Sequence, residues 1–359
     1  EPSAARKLLP LLLGRGEGRG EESLLSPAGF MGRSENNRWS AKCRREANSY
    51  PVEELPSRRD FLRQSASALM VGGLTLASGC STLSRSGYGQ QPLVGSQLYG
   101  WGQYYDRAHK RMDEHLDEVL SAIRDCGYDY AETTLNLDKL EHNSRFAERC
   151  QSKGLRPVSW YTGGQFHEQA KATETVRKIL EAAKDCAASG YRVINCNPDP
   201  IGREKTDQEL SVQVATLREL GAGLNRLGMR LGIHHHAPEL RNRAREFHYN
   251  FQNGEPELVG FCYDVHWVFR GGLSPKDVLR QYGDRVVSWH LRQSRGGIWW
   301  EDLDTGDIDY GGIARFARRR HLAPFFTVEL ALEDGTKITR SVVENHRRSR
   351  EFVRMVFGA

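Results

Sequence analysis

The chain has 359 residues, 38% hydrophobic and 27% charged, so it can bury a large core beneath a polar surface as one large domain or two small ones. Of the net charge of +5, residues 1–80 carry +3 (12 Lys and Arg against 9 Asp and Glu) and the remainder +2 (39 against 37), an excess that gives no case for a nucleic-acid footprint. The seven cysteines are scattered without a Cys-x-x-Cys pair, which excludes a zinc knuckle or disulfide framework and leaves buried free thiols as the expectation.

Residues 1–56 are rich in Gly, Ser, Arg and Glu, lack periodicity and begin at Glu1, so they read as a disordered extension, with Met31 an alternative start. Residues 57–80 follow with Ser57-Arg58-Arg59-Asp60-Phe61-Leu62, a short apolar stretch over 66–77 and then Ala77-Ser78-Gly79-Cys80. This segment resembles a twin-arginine export signal and is too short to span a membrane. The small residues before Cys80 resemble a lipoprotein cleavage box, with Ala77 where that pattern prefers Leu, so two outcomes stand: a lipid anchor at Cys80, or plain signal cleavage. A periplasmic or membrane-anchored location is expected. Residues 81–92 read as a linker.

From residue 93 to 359, short apolar runs alternate with amphipathic helical patterns. The runs cover 93–99, 128–135, 156–161, 191–195, 230–236, 260–265, 286–291 and 325–330. Helices are predicted over 113–126, 168–189, 207–227 and 341–357, and Gly127, Gly154, Gly190 and Gly228 stand where helix C-caps belong. The connection over 240–259 is the least helix-like and is expected to be mostly loop. Eight strand–helix units predict a single (β/α)8 barrel of the α/β class, closed by right-handed crossovers.

A closed barrel places catalytic groups at the carboxyl ends of its strands. Glu132 lies in the second run, His234 and His236 end the fifth, Asp264 ends the sixth, His290 lies in the seventh and Glu329 in the eighth. In the stretch Leu231-Gly232-Ile233-His234-His235-His236-Ala237-Pro238-Glu239, strand alternation puts His234 and His236 on one face and His235 on the other. Imidazoles and carboxylates gathered at one mouth predict a shared metal site, against independent structural roles for each. Trp101, Tyr161, Trp299 and Trp300 fall near the predicted mouth, where an aromatic face can stack on a bound ring.

At these residues the chain resembles the xylose-isomerase-like TIM-barrel family of sugar isomerases and epimerases, over about 93–357. The resemblance is carried by Gly127-Tyr128-Asp129-Tyr130-Ala131-Glu132, Leu231 to His236, Asp264-Val265-His266-Trp267 with Gly271-Gly272-Leu273-Ser274-Pro275, Trp289-His290-Leu291-Arg292, Gly306-Asp307-Ile308-Asp309 and Val328-Glu329. It implies a divalent metal (Mn, Mg, Co or Zn) held by His234, Asp264, His290 and Glu329, and a carbohydrate substrate that loses a C–H proton to form an enediolate. Proton transfer is expected of Glu329, Glu132 and His236, and substrate contact of Arg292, Glu239, Trp267 and Trp300. The chain departs from the family pattern in three places. His234 stands where ketose epimerases of the family use Glu, Trp267 where many members have a second His, and Arg292-Gln293 where Lys-Asp is common.

Three functions follow as alternatives: a metal-dependent sugar isomerase or epimerase, a lyase or hydratase of 3-keto-glycosides on the same barrel, and a non-catalytic sugar-binding lipoprotein. Nucleic acid is not an expected partner.

Overall fold

The computed structural model describes residues 91–359. Residues 1–90, which carry the expected extension, export segment, Cys80 and most of the linker, lie outside the described residues.

All eight apolar runs form parallel strands of one sheet. In chain order they are β1 (Leu93–Gln97), β2 (Tyr130–Glu132), β3 (Ser159–Gly164), β4 (Val193–Pro198), β5 (Arg230–Ile233), β6 (Gly260–Asp264), β7 (Val286–Leu291) and, after a small antiparallel hairpin of β8 (Ser294–Arg295) and β9 (Ile298–Trp299), β10 (Phe325–Val328). Their order in space is β2-β1-β10-β7-β6-β5-β4-β3. The two ends of this order meet through the Thr134–Tyr161 bridge, where Leu135 N–H donates to Tyr161 O at 2.7 Å and Tyr161 N–H to Thr133 O at 3.0 Å. The sheet is thus a nearly closed ring, the (β/α)8 barrel that the alternation of runs and helices predicts.

The outer layer comprises α1 (Leu98–Arg107), α2 (Leu116–Asp125), α3 (Leu140–Ser152), α4 (Gln169–Ala188), α5 (Asp207–Arg226), α6 (Arg241–Asn253), α7 (Val265–Arg270), α8 (Pro275–Tyr282), α9 (Tyr310–Arg320) and α10 (Val342–Phe357). A capping box fixes the start of α5: the Thr206 hydroxyl accepts from Glu209 N–H while Glu209 accepts from Thr206 N–H. The glycines expected at helix ends, Gly127, Gly154, Gly190 and Gly228, all have positive φ, the conformation that stops a helix without a Cβ clash. Among the described residues, no helix is long and apolar enough to cross a membrane. The five described cysteines are buried free thiols.

The expectation of a loop over 240–259 is corrected, because Arg241–Asn253 is helical. Its sequence is dominated by charged and polar residues, yet Ala244, Phe247 and Phe251 recur at helical spacing and are buried. Phe247 packs edge-on to Phe251, Phe261 and Tyr282, with centroids 5.1, 5.7 and 5.6 Å apart. The entry to this helix is left-handed at Asn242, Arg243 and Ala244, with φ of 48°, 55° and 59°. Each such residue costs roughly 1–2 kcal/mol, and the apolar packing behind it offsets that strain.

The barrel interior is polar beneath its mouth. Ser288 on β7 donates to Asn195 Oδ1 on β4 at 2.6 Å, and Asn195 Nδ2 donates to Glu132 Oε2 on β2 at 2.8 Å. None of these strands are neighbours, so both bonds cross the lumen. Gly232 on β5 makes room for this network, since a Cβ there would lie 2.7 Å from Asn195 Oδ1 and 2.8 Å from Val287 Cγ2.

The packing of α6 predicts that Phe247→Ala lowers unfolding free energy by about 3–5 kcal/mol. Denaturant titration checks this, and a loss under about 1 kcal/mol would show that the segment does not pack as a core helix.

Candidate functional site

Four strands that follow one another around the ring, β5, β6, β7 and β10, each deliver one side chain to a common point. His234 follows β5, Asp264 ends β6, His290 is the penultimate residue of β7 and Glu329 follows β10. One ligand atom from each lies within 4.8 Å of all the others, and all four residues are buried. His234 Nε2 is 3.4 Å from Asp264 Oδ2, and His290 Nδ1 is 3.0 Å from Glu329 Oε2.

The donor chemistry suits a divalent cation. Asp264 caps α7 by accepting the Trp267 N–H at Oδ1, at 2.8 Å, which leaves its buried Oδ2 without a hydrogen-bond donor. That oxygen has only the longer ion pair to Arg292 Nη2 at 3.6 Å and His234 Nε2 at 3.4 Å beside it, and a bound cation would offset the cost of burying it without a hydrogen bond. On the other side of the His234 ring, Nδ1 lies 3.3 Å from Asn197 Oδ1, which turns Nε2 toward the cluster. Two imidazoles and two carboxylates form the mixed N/O set that Mn, Co and Zn take, and Mg less readily.

Glu132 lies underneath this set. Its Oε1 is 2.7 Å from His290 Nε2, and its Oε2 accepts from Asn195 Nδ2 and from the Ser159 hydroxyl. The residue has no solvent exposure. Proton transfer to substrate was expected of it; the structure surrounds it with the protein's own donors.

Arg292 reaches the cluster from beyond β7. Its Nη2 is 3.1 Å from Glu329 Oε1 and 3.6 Å from Asp264 Oδ2. Burial pushes the Glu329 carboxyl up, but the Arg292 guanidinium and His290 outweigh it and hold the group below its ordinary value. The Trp299 ring covers Arg292 with the guanidinium carbon 4.0 Å from its centroid, and Arg270 lies over the same ring at 5.0 Å. Glu333 fastens this roof: its carboxylate accepts Trp299 N–H at 2.7 Å and Arg270 Nη2 at 2.7 Å, and its carbonyl accepts Arg107 Nη2 at 3.3 Å.

Of the other expected substrate contacts, Trp267 is buried edge-on to His236 and Trp299, at 5.2 and 5.6 Å, and Trp300 is half-buried beneath Arg295, whose guanidinium carbon is 4.1 Å from the ring. Trp101 lies in the core, stacked at 4.5 Å on His346 and bonded to Ser96 Oγ, while Tyr161 meets the His234 ring edge-on at 5.4 Å. His266, which sequence reasoning passed over, is buried against Trp299 with neither ring nitrogen hydrogen-bonded, and burial followed by the Arg292 charge takes its pKa down to about 3.

The histidine triplet divides as strand alternation predicts. His234 joins the cluster and His236 lies 4.7 Å from it, half-buried at the rim, while His235 packs on Phe247 and Phe261 in the helix layer. Glu239 Oε2 accepts the His236 backbone N–H at 2.7 Å and so fixes the turn that carries that imidazole. Behind it, the buried Lys205 Nζ is 2.6 Å from Glu246 Oε1.

A (β/α)8 barrel that gathers two imidazoles and two carboxylates at four successive strand ends is the architecture of one class of TIM barrel. The family description "Xylose isomerase-like TIM barrel" matches residues 120–354, more than half of the chain, and the protein belongs to that family. An inosose dehydratase of Geobacillus kaustophilus (strain HTA426) is 25% identical over 222 residues, covering 57% of this chain and 68% of that protein. A sugar phosphate isomerase/epimerase of Parabacteroides distasonis ATCC 8503 superposes with a TM-score of 0.60 at 17% identity, over 74% of this chain and 94% of that one. The 3-keto-D-glucoside 4-epimerase of E. coli does so with a TM-score of 0.55 at 13% identity, over 74% of this chain and all of that one (100%). At these identities the two structures share the fold.

Glu239 generates a pH prediction. Burial first, and the Glu246 charge second, push its carboxyl from an ordinary 4.5 up to about 7. The folded chain therefore holds a proton that the unfolded chain has released between these values, and stability falls as pH rises through that window. The loss amounts to about 3 kcal/mol. Unfolding midpoints at pH 5 and pH 8 should differ more in the wild type than in Glu239→Gln, and equal differences would refute the assignment.

Proposed function

We propose that this protein is a metal-dependent enzyme that enolises a hydroxy-ketone sugar or polyol and returns the proton, acting as an isomerase or epimerase. The cluster of His234, Asp264, His290 and Glu329 at four adjacent strand ends carries this reading. A divalent cation bound there supplies Lewis acidity, which weakens the C–H bond beside a carbonyl.

The chain's own groups supply the rest. Glu329, kept ionised by the Arg292 guanidinium, takes the proton from carbon and afterwards passes it to solvent; the C–H electrons form the C–C double bond and the carbonyl electrons move to oxygen. Arg292 adds a fixed positive charge beside the developing oxyanion. His236, at the rim next to His234, delivers a proton to carbon and is recharged from solvent. Return to the opposite face of the same carbon gives an epimer; return to the neighbouring carbon gives an isomer. Glu239 holds the His236 turn in place, and the Trp299 roof keeps water from Arg292. The twin-arginine-like segment adds action outside the cytoplasm to this proposal.

The likeness to an inosose dehydratase supports a second reading. The same enediolate expels a β-hydroxyl, protonated by His236, and water leaves.

Elemental analysis of the purified full chain should find close to one divalent ion per chain, falling at least about tenfold in Asp264→Ala and in His290→Ala. Proton NMR in D2O with an inosose and with a 3-keto-glycoside should show loss of the C–H signal beside the carbonyl. A deuterated epimer or isomer of unchanged skeleton supports the first reading, and an unsaturated dehydrated product the second. His236→Asn should slow formation of the epimerised or dehydrated product about 10²–10⁴-fold with metal content retained. A metal-free wild type that exchanges no proton would sink both readings.

A further inference from the structure

The geometry points to Glu132 as a positioning residue that fixes which nitrogen of His290 faces the ligand cluster and thereby sets how tightly a divalent cation is held. This rests on the metal-dependent reading above. An ionised carboxylate only accepts hydrogen bonds. With Glu132 Oε1 at 2.7 Å, His290 Nε2 therefore carries hydrogen, and Nδ1, 3.0 Å from Glu329 Oε2, turns its lone pair to the site when a cation is present.

The carboxylate has little freedom to do anything else. Asn195 Nδ2 at 2.8 Å and the Ser159 hydroxyl hold its other oxygen, and Ser288, donating to Asn195 Oδ1 at 2.6 Å, prevents that amide from turning over. Three further strands thus orient one imidazole from beneath, and the Cys262 thiol lies against the same ring. Such outer partners of ligating histidines set ligand orientation and basicity, and their loss weakens metal binding about 10–100-fold. Since Glu132 is fully buried, its effect on the reaction runs through His290.

The test is Mn2+ binding by the metal-stripped full chain, in competition with a fluorescent chelator. Glu132→Gln keeps the shape but offers an amide that donates as readily as it accepts, so the ring is no longer held to one tautomer. The Mn2+ dissociation constant should rise about 10–100-fold. Thr327→Val serves as comparison: Thr327 is as deeply buried and bonds Tyr130 OH at 2.8 Å outside this chain of bonds, so Mn2+ affinity should stay within about threefold of wild type. Should Glu132→Gln not fold, Glu132→Asp, which keeps the charge but withdraws it from His290, should also weaken Mn2+ binding. Wild-type affinity in the foldable Glu132 variant, or an equal loss in Thr327→Val, overturns the inference while the metal reading stands. A wild type that binds no Mn2+ overturns both.

Discussion

The site depends on a negative charge buried in the centre of the barrel. Glu132 is sealed from water, and a carboxylate stripped of partners in such a place typically destabilises a fold by about 3–5 kcal/mol. Ser159, Asn195 and His290 donate to it from three other strands, so the charge is satisfied only when the ring closes in the correct register. Folding and site assembly are therefore one event. Slipping one strand by a residue turns its donor to the opposite face and leaves the carboxylate short of a bond.

Above that anchor, the two halves of the mouth differ. On the side of β6, β7 and β10, Trp267, Trp299, Arg292 and His266 pack into a closed wall. On the side of β3 and β5, Tyr161 and His236 remain half-buried, as do Ala237 and Pro238 in the turn beyond. The half-buried rim histidine, His236, falls on the second side, and the buried Arg292 on the first. That division separates an imidazole within reach of solvent from a guanidinium whose charge acts over a low-dielectric surround.

Much of this was legible in the sequence because periodicity and punctuation are local. β7 matches its predicted run residue for residue, and Asp264, His290 and Glu329 could be placed at strand ends before any fold was known. What stayed hidden depends on partners distant in sequence. A Glu ending a strand reads the same whether it faces a substrate or lies across the lumen, and only Ser159, Asn195 and His290 decide the matter for Glu132. The helix over Arg241–Asn253 was obscured by its charged residues and by a left-handed entry at Asn242 to Ala244 that no glycine announces. His266 escaped because Asp264 reads as the last residue of a strand, whereas it also caps the short helix that turns His266 inward.

Glu333 has a mechanical consequence. Through one carboxylate and one carbonyl it ties Arg107 at the end of α1, Arg270 at the end of α7 and the hairpin bearing Trp299. Three segments with separate origins therefore share a single fastener, and loss of that one carboxylate would release the end of α7 and the hairpin above Arg292 together.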